Sequence, residues 1–508
     1  MKYKNPVIEG FYPDPSVCRV KDDYYLVTSS FEYFPGVPIF HSKDLVNWNQ
    51  IGYCLTTDEQ LDIYNAKNSY GIYAPTIRYS NGIFYMITTN VTNGTNFYVT
   101  SESPEGPWSS PIIVNGWQGI DPSLFFDDNG KVYIMGNSYK NKYEELGCYM
   151  AEIDIETGNL KSERKLVCKG SGGKAPEAPH LYKKDGLYYL ILAEGGTEYG
   201  HMVTVFRSNN PCGPFEGYKG NPILSHRSRK SEIQAVGHMD MIEDHKGNWW
   251  GVCLGIRPKG SHAYFHHLGR ETFLVPIKWN EDKWLTVGDN GLLHEEMECS
   301  LMEKCQDRPK NFIEKFSEKQ LDMQWNYLRN PIRENYSLEK RKNWICLKGN
   351  KENLTSGGRV TFIGKRQCHF KGYVNVSMEF LPKNDGEEAG VTVYMSDEYH
   401  YDLAIIRRDS KKYLLLRKKI GSIECEEISF IYNYSNIKLG INASDKEYEF
   451  FCELPDGERK SVGKGECKFL ASEFSGTFTG VYYGIYATGN GKDSTTDAYF
   501  KDFKYIVN

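Results

Sequence analysis

Along the first three hundred residues, apolar positions come in short runs broken by charged or glycine-containing turns. This texture predicts strands and tight turns, and helical periodicity is weak throughout. One unit recurs five times: a charged or Gly turn, a pair of aromatic residues, then an apolar strand. The copies are Lys21-Asp22-Asp23-Tyr24-Tyr25, Asn81-Gly82-Ile83-Phe84-Tyr85, Asn129-Gly130-Lys131-Val132-Tyr133, Asp185-Gly186-Leu187-Tyr188-Tyr189 and Lys246-Gly247-Asn248-Trp249-Trp250, the third with Val132 in place of the first ring. The Asn-Gly and Asp-Gly steps predict type I′ hairpin turns. Successive pairs lie 60, 48, 56 and 61 residues apart, intervals that suit one four-stranded blade each. Five copies predict a five-bladed β-propeller. A second signature runs from Ser42 to Trp48, Ser103 to Trp108 and Ser208 to Phe215, and reads as an outer hairpin capped by an aromatic side chain. Core packing accounts for these rings without any further role.

From Glu295 to about Lys310 the chain is charged and lacks strand pattern. The expected organisation is a propeller over 1–296, a linker over 297–310 and a second domain over 311–508. That second part is again strand-rich but has no blade signature. Val374 to Phe380 alternates apolar and polar, as a half-buried strand should, and Tyr413-Leu414-Leu415-Leu416 and Gly480 to Tyr486 add further strands. An all-β, jelly-roll or concanavalin-like β-sandwich fits.

Composition narrows the function. Aromatics make up 14% of 508 residues, with 37 Tyr and 48 Gly. Broad amphipathic rings suit sugars, which present C–H faces and hydroxyls. The net charge of −5, without a basic run, argues against a nucleic-acid partner. No apolar stretch is long enough to span a bilayer, so no membrane partner is expected. The N-terminal residues Met1 to Pro6 are not followed by an apolar signal region. The 13 Cys are scattered without a CxxC, which reads as reduced thiols and a cytoplasmic location.

Candidate chemistry lies ten or eleven residues before each aromatic pair, where the innermost strand of a blade begins. The five positions are Asp14, Ala74, Asp121, Glu177 and His238. Singly, an Asp before Pro is a turn residue, a Glu beside Pro is solvated and a lone His is structural. Equivalent positions of a radial repeat, however, converge on one axis, and turn acids have no reason to share a register across three blades. Glycosidic cleavage needs a protonated acid on the leaving oxygen and an ionised carboxylate opposite it. Glu177, between Ala175-Pro176 and Ala178-Pro179, has the apolar setting that raises a carboxyl pKa and suits the acid. Asp14, between two prolines, suits the base. Asp121 is a third negative charge able to keep Glu177 protonated.

These motifs resemble glycoside hydrolase family 43 over nearly the whole chain. Gly10-Phe11-Tyr12-Pro13-Asp14-Pro15-Ser16 is similar to that family's base motif. Ser29 to Val37 and His41 to Trp48 resemble its β-xylosidase and α-L-arabinofuranosidase branch. The resemblance implies an inverting mechanism with Asp14 as base, Asp121 as pKa modulator and Glu177 as acid. It also implies Arg270 as a sugar-hydroxyl ligand, Phe31 and Thr197 as pocket lining, and His238 near the axis beside a channel cation. No cofactor is required; a structural Ca²⁺ or other axial cation and a homo-oligomer are both compatible. The C-terminal half is similar to the branch's accessory sandwich, which helps close the pocket. Two positions depart from the pattern: Ala178 stands where the acid motif usually has Gly, and Tyr73-Ala74-Pro75 replaces the Trp-Ala-Pro of many β-xylosidases. Tyr73 and Ala74 are expected in the substrate pocket, with arabinofuranosyl slightly favoured over xylosyl substrates.

Three rival classes fit less well. Fructan and sucrose enzymes carry Asn-Asp-Pro-Asn-Gly, whereas Asp14 lies in Pro13-Asp14-Pro15-Ser16. A non-catalytic sugar-binding propeller has no need of all three carboxylates. His262, His266 and His267 cluster, but the zinc motif with i, i+4 spacing needs a helix that this segment does not predict. Exo action in a covered pocket, on arabinose- or xylose-containing oligosaccharides, is the expectation.

Overall fold

The computed structural model describes residues 1–137, 145–261, 263–306 and 311–507. Five four-stranded antiparallel blades are present. They begin with the innermost strands Ser16–Val20, Thr76–Ser80, Ser123–Phe126, Glu177–Lys184 and Gln234–Glu243, and each blade then steps outward in chain order. Blade four carries one extra short strand, Leu224–Ser225, on its third strand. The innermost strands neighbour one another in sequence, and Gln234–Glu243 also meets Ser16–Val20, so the ring is closed.

Every aromatic pair falls on the second strand of its blade. The packing shows why pairs are needed. One apolar cluster fills each of the five blade–blade interfaces, and the first member of a pair faces the preceding blade while the second faces the following one. Tyr24 packs toward blade five and Tyr25 toward blade two; Tyr188 packs toward blade three and Tyr189 toward blade five. Val132 keeps this rule, lying in the cluster shared with blade two. Adjacent residues of a strand point to opposite faces, so two consecutive large side chains knit a blade to both neighbours.

The turn expectation holds in part. Both residues have positive φ at Asn81-Gly82 and Asp185-Gly186, as type I′ requires, but at Asn129-Gly130 only the glycine does. That turn is one residue looser and is closed by Asp127 N–H to Lys131 O at 2.9 Å.

The stretch read as strand-free opens with a short strand, Glu296–Glu298, which pairs antiparallel with Lys2–Lys4. Three residues are too few to show a period, which is why sequence pattern missed it. The rest of that stretch lacks strands through 306, and 307–310 lie outside the described residues.

The C-terminal part is two eight-stranded antiparallel sheets packed face to face around one large apolar core. Gly372–Glu379 alternates buried and half-buried positions along its length, as its sequence predicts. Among the described residues, α-helix is confined to Ser472–Ser475.

The two parts share structure. Tyr33–Phe34, from blade one, pairs with Trp325–Leu328 and forms the edge of a sandwich sheet. Next to it the buried Arg329 donates from Nε to Ala66 O (2.6 Å) and from Nη2 to Asp397 (3.0 Å). At a second seam, Gly480 approaches so closely that a Cβ there would lie 2.4 Å from Leu268 O.

A buried charge network pins the propeller axis. Asp240 takes both Nη groups of Arg78 (2.8 and 3.2 Å), Ser16 Oγ (2.6 Å), Val17 N–H (3.1 Å) and the Tyr182 hydroxyl. It thereby joins blades one, two, four and five. Burial opposes its charge, but Arg78 and these donors hold the carboxyl below the usual range. Asp240→Ala leaves Arg78 without its buried partner and is expected to cost about 3–5 kcal/mol. Urea denaturation followed by tryptophan fluorescence would check this; a midpoint equal to wild type would refute it.

Candidate active site

Asp14, Asp121 and His238 share more than a register. All three have left-handed backbone, with φ of 56°, 53° and 49°. Asp14 and Asp121 lie two residues before their innermost strands, while His238 lies within one, inside the second of two breaks in the pairing of Gln234–Glu243. Glu177 is itself the first residue of its strand, and a register shift follows it before His180. Its neighbour Ala178 takes the positive φ (50°) and donates its N–H to Asp121. The Ala in place of the usual Gly therefore sits in a conformation that glycine adopts at less cost. Ala74 is buried at the matching position of blade two.

The geometry assigns the groups different surroundings. Asp14 accepts from Ser29 Oγ (2.6 Å) and from Arg270 Nη1 (2.9 Å), with His238 Nδ1 3.6 Å away. Burial alone would raise its pKa, yet Arg270, His238 and Ser29 together hold it below the ordinary value. Among the described residues Glu177 has no such donors. Burial, reinforced by the charge of Asp14, pushes its carboxyl up to about 7, against the pull of Arg270 and Lys174. Asp121 is raised well above the ordinary value by burial and then by Glu177 and Asp14. Burial makes it costly for Asp121 and Glu177 to be ionised together, so an ionised member of the pair holds the proton on the other. His238 is driven toward its neutral form by burial.

Arg270 is the hub. Besides Asp14 it donates to Thr197 Oγ1 (3.0 Å) and Phe478 O (3.4 Å), and its guanidinium lies 5.6 Å from the Phe31 ring centroid. Phe31, also at positive φ (50°), packs against Phe11 and Tyr73 at 5.7 and 5.2 Å. Every substrate-pocket residue read from sequence except Ala74 and His238 therefore joins one contact set around Arg270 and Phe31.

Three contributors escaped sequence reasoning. Phe478 comes from the sandwich, its N–H bound to Ser69 Oγ (2.8 Å), and nothing in its local sequence marks it. His201 is buried behind the site with Nδ1 on Ala235 O (3.1 Å), and burial lowers its pKa to about 3. Glu194 is fully buried and accepts from Ser171 N, Gly173 N and Thr204 Oγ1 at 2.8, 2.8 and 2.6 Å. It fastens the loop leading to Glu177, and a Cβ on Gly173 would lie 2.7 Å from its Oε2. The signal for Glu194 was its place directly before Gly195-Gly196-Thr197.

The described members of the histidine cluster point to different partners. His262 lies outside the described residues. His266 Nδ1 binds Glu473 (2.8 Å), and His267 is buried among Phe265, Phe370 and Tyr448. Among the described residues no group of three or more His, Cys, Asp or Glu side chains converges as a metal site.

Two buried carboxyls held apart in protonation at the mouth of a propeller axis, beside an arginine and an aromatic wall, define a carbohydrate-cleaving propeller, a glycoside hydrolase. Residues 3–285 match the model of glycosyl hydrolases family 43, and 313–506 match that of the beta xylosidase C-terminal concanavalin A-like domain. The chain belongs to family 43. It is 38% identical to a non-reducing end alpha-L-arabinofuranosidase of Bacteroides ovatus, over 99% of this chain and 94% of that protein. It is likewise 38% identical to a xylosidase/arabinosidase of Butyrivibrio fibrisolvens, over 99% and 98%. A solved xylan beta-1,4-xylosidase from Bacillus halodurans superposes with a TM-score of 0.94 at 32% identity, covering 99% of each chain.

Proposed function

We propose that the protein is an exo-acting, inverting hydrolase that releases terminal α-L-arabinofuranosyl and β-D-xylosyl residues from hemicellulose-derived oligosaccharides. The observation that carries this is the opposite tuning of Asp14 and Glu177 within one buried site. Glu177, protonated up to about pH 7, gives its proton to the leaving oxygen. Asp14, ionised and oriented by Ser29 and Arg270, takes a proton from the attacking water. Arg270 and Thr197 have donors and acceptors to offer sugar hydroxyls, and Phe31 and Tyr73 offer apolar faces. No cofactor enters this scheme. Contact between Phe478 of the sandwich and Arg270 supports a covered, single-ended pocket and hence exo action. The thirteen free cysteines support a reducing, cytoplasmic setting.

Between the two sugars, the arabinofuranosyl reading is preferred because Tyr73 stands where many β-xylosidases have Trp. The Bacteroides and Butyrivibrio relatives, named for arabinofuranosidase and for both activities, lend support. Turnover of nitrophenyl arabinofuranoside and xyloside, with the first-formed anomer followed by NMR, tests the whole reading. A product that keeps the substrate's anomeric configuration would overturn the assigned base, and activity on neither glycoside would overturn the substrate class.

Asp121 acts by keeping a proton on Glu177. Asp121→Asn removes that negative neighbour, so Glu177 should release its proton more easily. The basic limb of the kcat profile is expected to move to lower pH. An unmoved limb would remove Asp121 from this role.

A further inference from the structure

The aromatic surface around the site changes character from inside to outside. Phe11 and Phe31 are buried at the inner wall, whereas Phe478 and Tyr264 stand 40% and 52% exposed at the rim. A substrate whose terminal sugar is held at Arg270 can extend past this exposed side. There the Tyr199 and Tyr264 rings lie 6.5 Å apart, centroid to centroid, inclined by 31°.

This pair is built into the site. Tyr199 follows Thr197, the Arg270 partner, by two residues. Its neighbour Glu198 meets Lys174 at 3.4 Å, three residues before Glu177, so the Tyr199 loop is tied to the approach of the acid. The Tyr264 loop is closed by reciprocal backbone bonds between Lys259 and Phe265, at 2.8 and 3.0 Å. Glu473 of the sandwich braces both loops. It accepts from Tyr199 OH (3.0 Å), His266 N–H (2.9 Å) and His266 Nδ1 (2.8 Å). Burial opposes its charge, but these donors keep it ionised. An exposed aromatic face beside a braced one, two residues from the Arg270 partner Thr197, is a preorganised surface for a flat apolar partner.

We propose that Tyr264 and Tyr199 form the platform for the leaving portion of the substrate, stacking a xylopyranosyl ring adjacent to the bond that is cleaved. This rests on the substrate class given above and adds the residues that read the far side of the bond. A β-linked xylopyranose carries all its ring substituents equatorially and shows nearly continuous C–H faces, which match an aromatic floor. Specificity for oligosaccharide over simple glycosides would then reside partly in the sandwich domain, through Glu473.

The test compares Tyr264→Ala, Tyr264→Phe and wild type on xylobiose and arabinofuranosyl-xylobiose, and on the two corresponding glycosyl fluorides, which present no ring on the leaving side. For Tyr264→Ala, the ratio of kcat/KM on the oligosaccharide to that on the fluoride should fall about tenfold, the scale of one lost ring contact. Tyr264→Phe should keep the wild-type ratio, since the face and not the hydroxyl does the binding. An unchanged ratio for Tyr264→Ala, whether activity is retained or lost equally on both substrates, would overturn the platform. The sugar assignment fails separately: a wild type idle on the arabinosyl pair but active on the xylosyl pair corrects the sugar, and the platform is judged on the active pair. Calorimetry of xylobiose binding to the Glu177→Gln protein, with and without Tyr264→Ala, tests the platform independently of turnover. Weaker binding with Tyr264→Ala is expected, and equal affinity would overturn the platform.

Discussion

Glu177→Gln is expected to lower kcat/KM on oligosaccharides by about 10²–10⁴-fold, because an alkoxide leaving group must be protonated as its bond breaks. The loss should shrink on nitrophenyl glycosides, whose phenolate departs with little help. The pH profile should change shape as well as height. In the wild type the acid is competent below its value of about 7 and loses its proton above it, so activity falls as pH rises through neutrality. Gln does not titrate there, and the variant's residual activity should be flat across that range. Full activity with the neutral descending limb intact would show that another group supplies the proton.

Asp14→Asn is expected to be at least as severe, about 10³–10⁴-fold in kcat, with only a modest change in KM. The water loses the only carboxylate of the three whose pKa is held down. The sign for the wild type is the reverse of that for Glu177. Asp14 is active when ionised, and its contribution is lost only as pH falls through a pKa below the usual Asp value. Arg270→Met should therefore carry the acidic limb of the profile to higher pH by removing the neighbouring cation, besides weakening sugar binding. Steady-state kinetics from acid to neutral pH would check both; an Asn variant that keeps kcat would dismiss Asp14 as base.

The register of the three carboxyls was legible because of a packing rule. Each blade needs one large side chain toward each neighbour, so the rings come in consecutive pairs such as Tyr188-Tyr189, and counting back from them reaches the axis. Residues whose positions follow from that repeat, Asp14, Asp121 and Glu177, could be located without coordinates. Residues that act across the chain could not. Phe478 meets Arg270 from 208 positions away, and Glu473 meets His266 from 207. Neither lies in a periodic element that would fix its partner in advance. The histidine cluster, set aside as a zinc site because its segment predicts no helix, shows the complementary point: closeness in sequence does not aim side chains at a common point, and His266 and His267 face different surroundings. Short pairings such as Lys2–Lys4 with Glu296–Glu298 also stayed hidden, since three residues carry no readable period.

The strand Tyr33–Phe34 has a consequence for how such proteins can be recombined. It is encoded in the first tenth of the chain, yet it is an edge strand of a sheet whose other strands begin at Trp325. A gene cut between the two halves would leave Trp325–Leu328 as a raw sheet edge, open to pairing with other chains. It would also leave the buried Arg329 without Ala66 O and the backbone of Glu32. Swapping sandwiches among relatives should therefore succeed only when the segment around Glu32 to Gly36 travels with them. The heritable unit of exchange is then discontinuous: a C-terminal module together with a short N-terminal passenger.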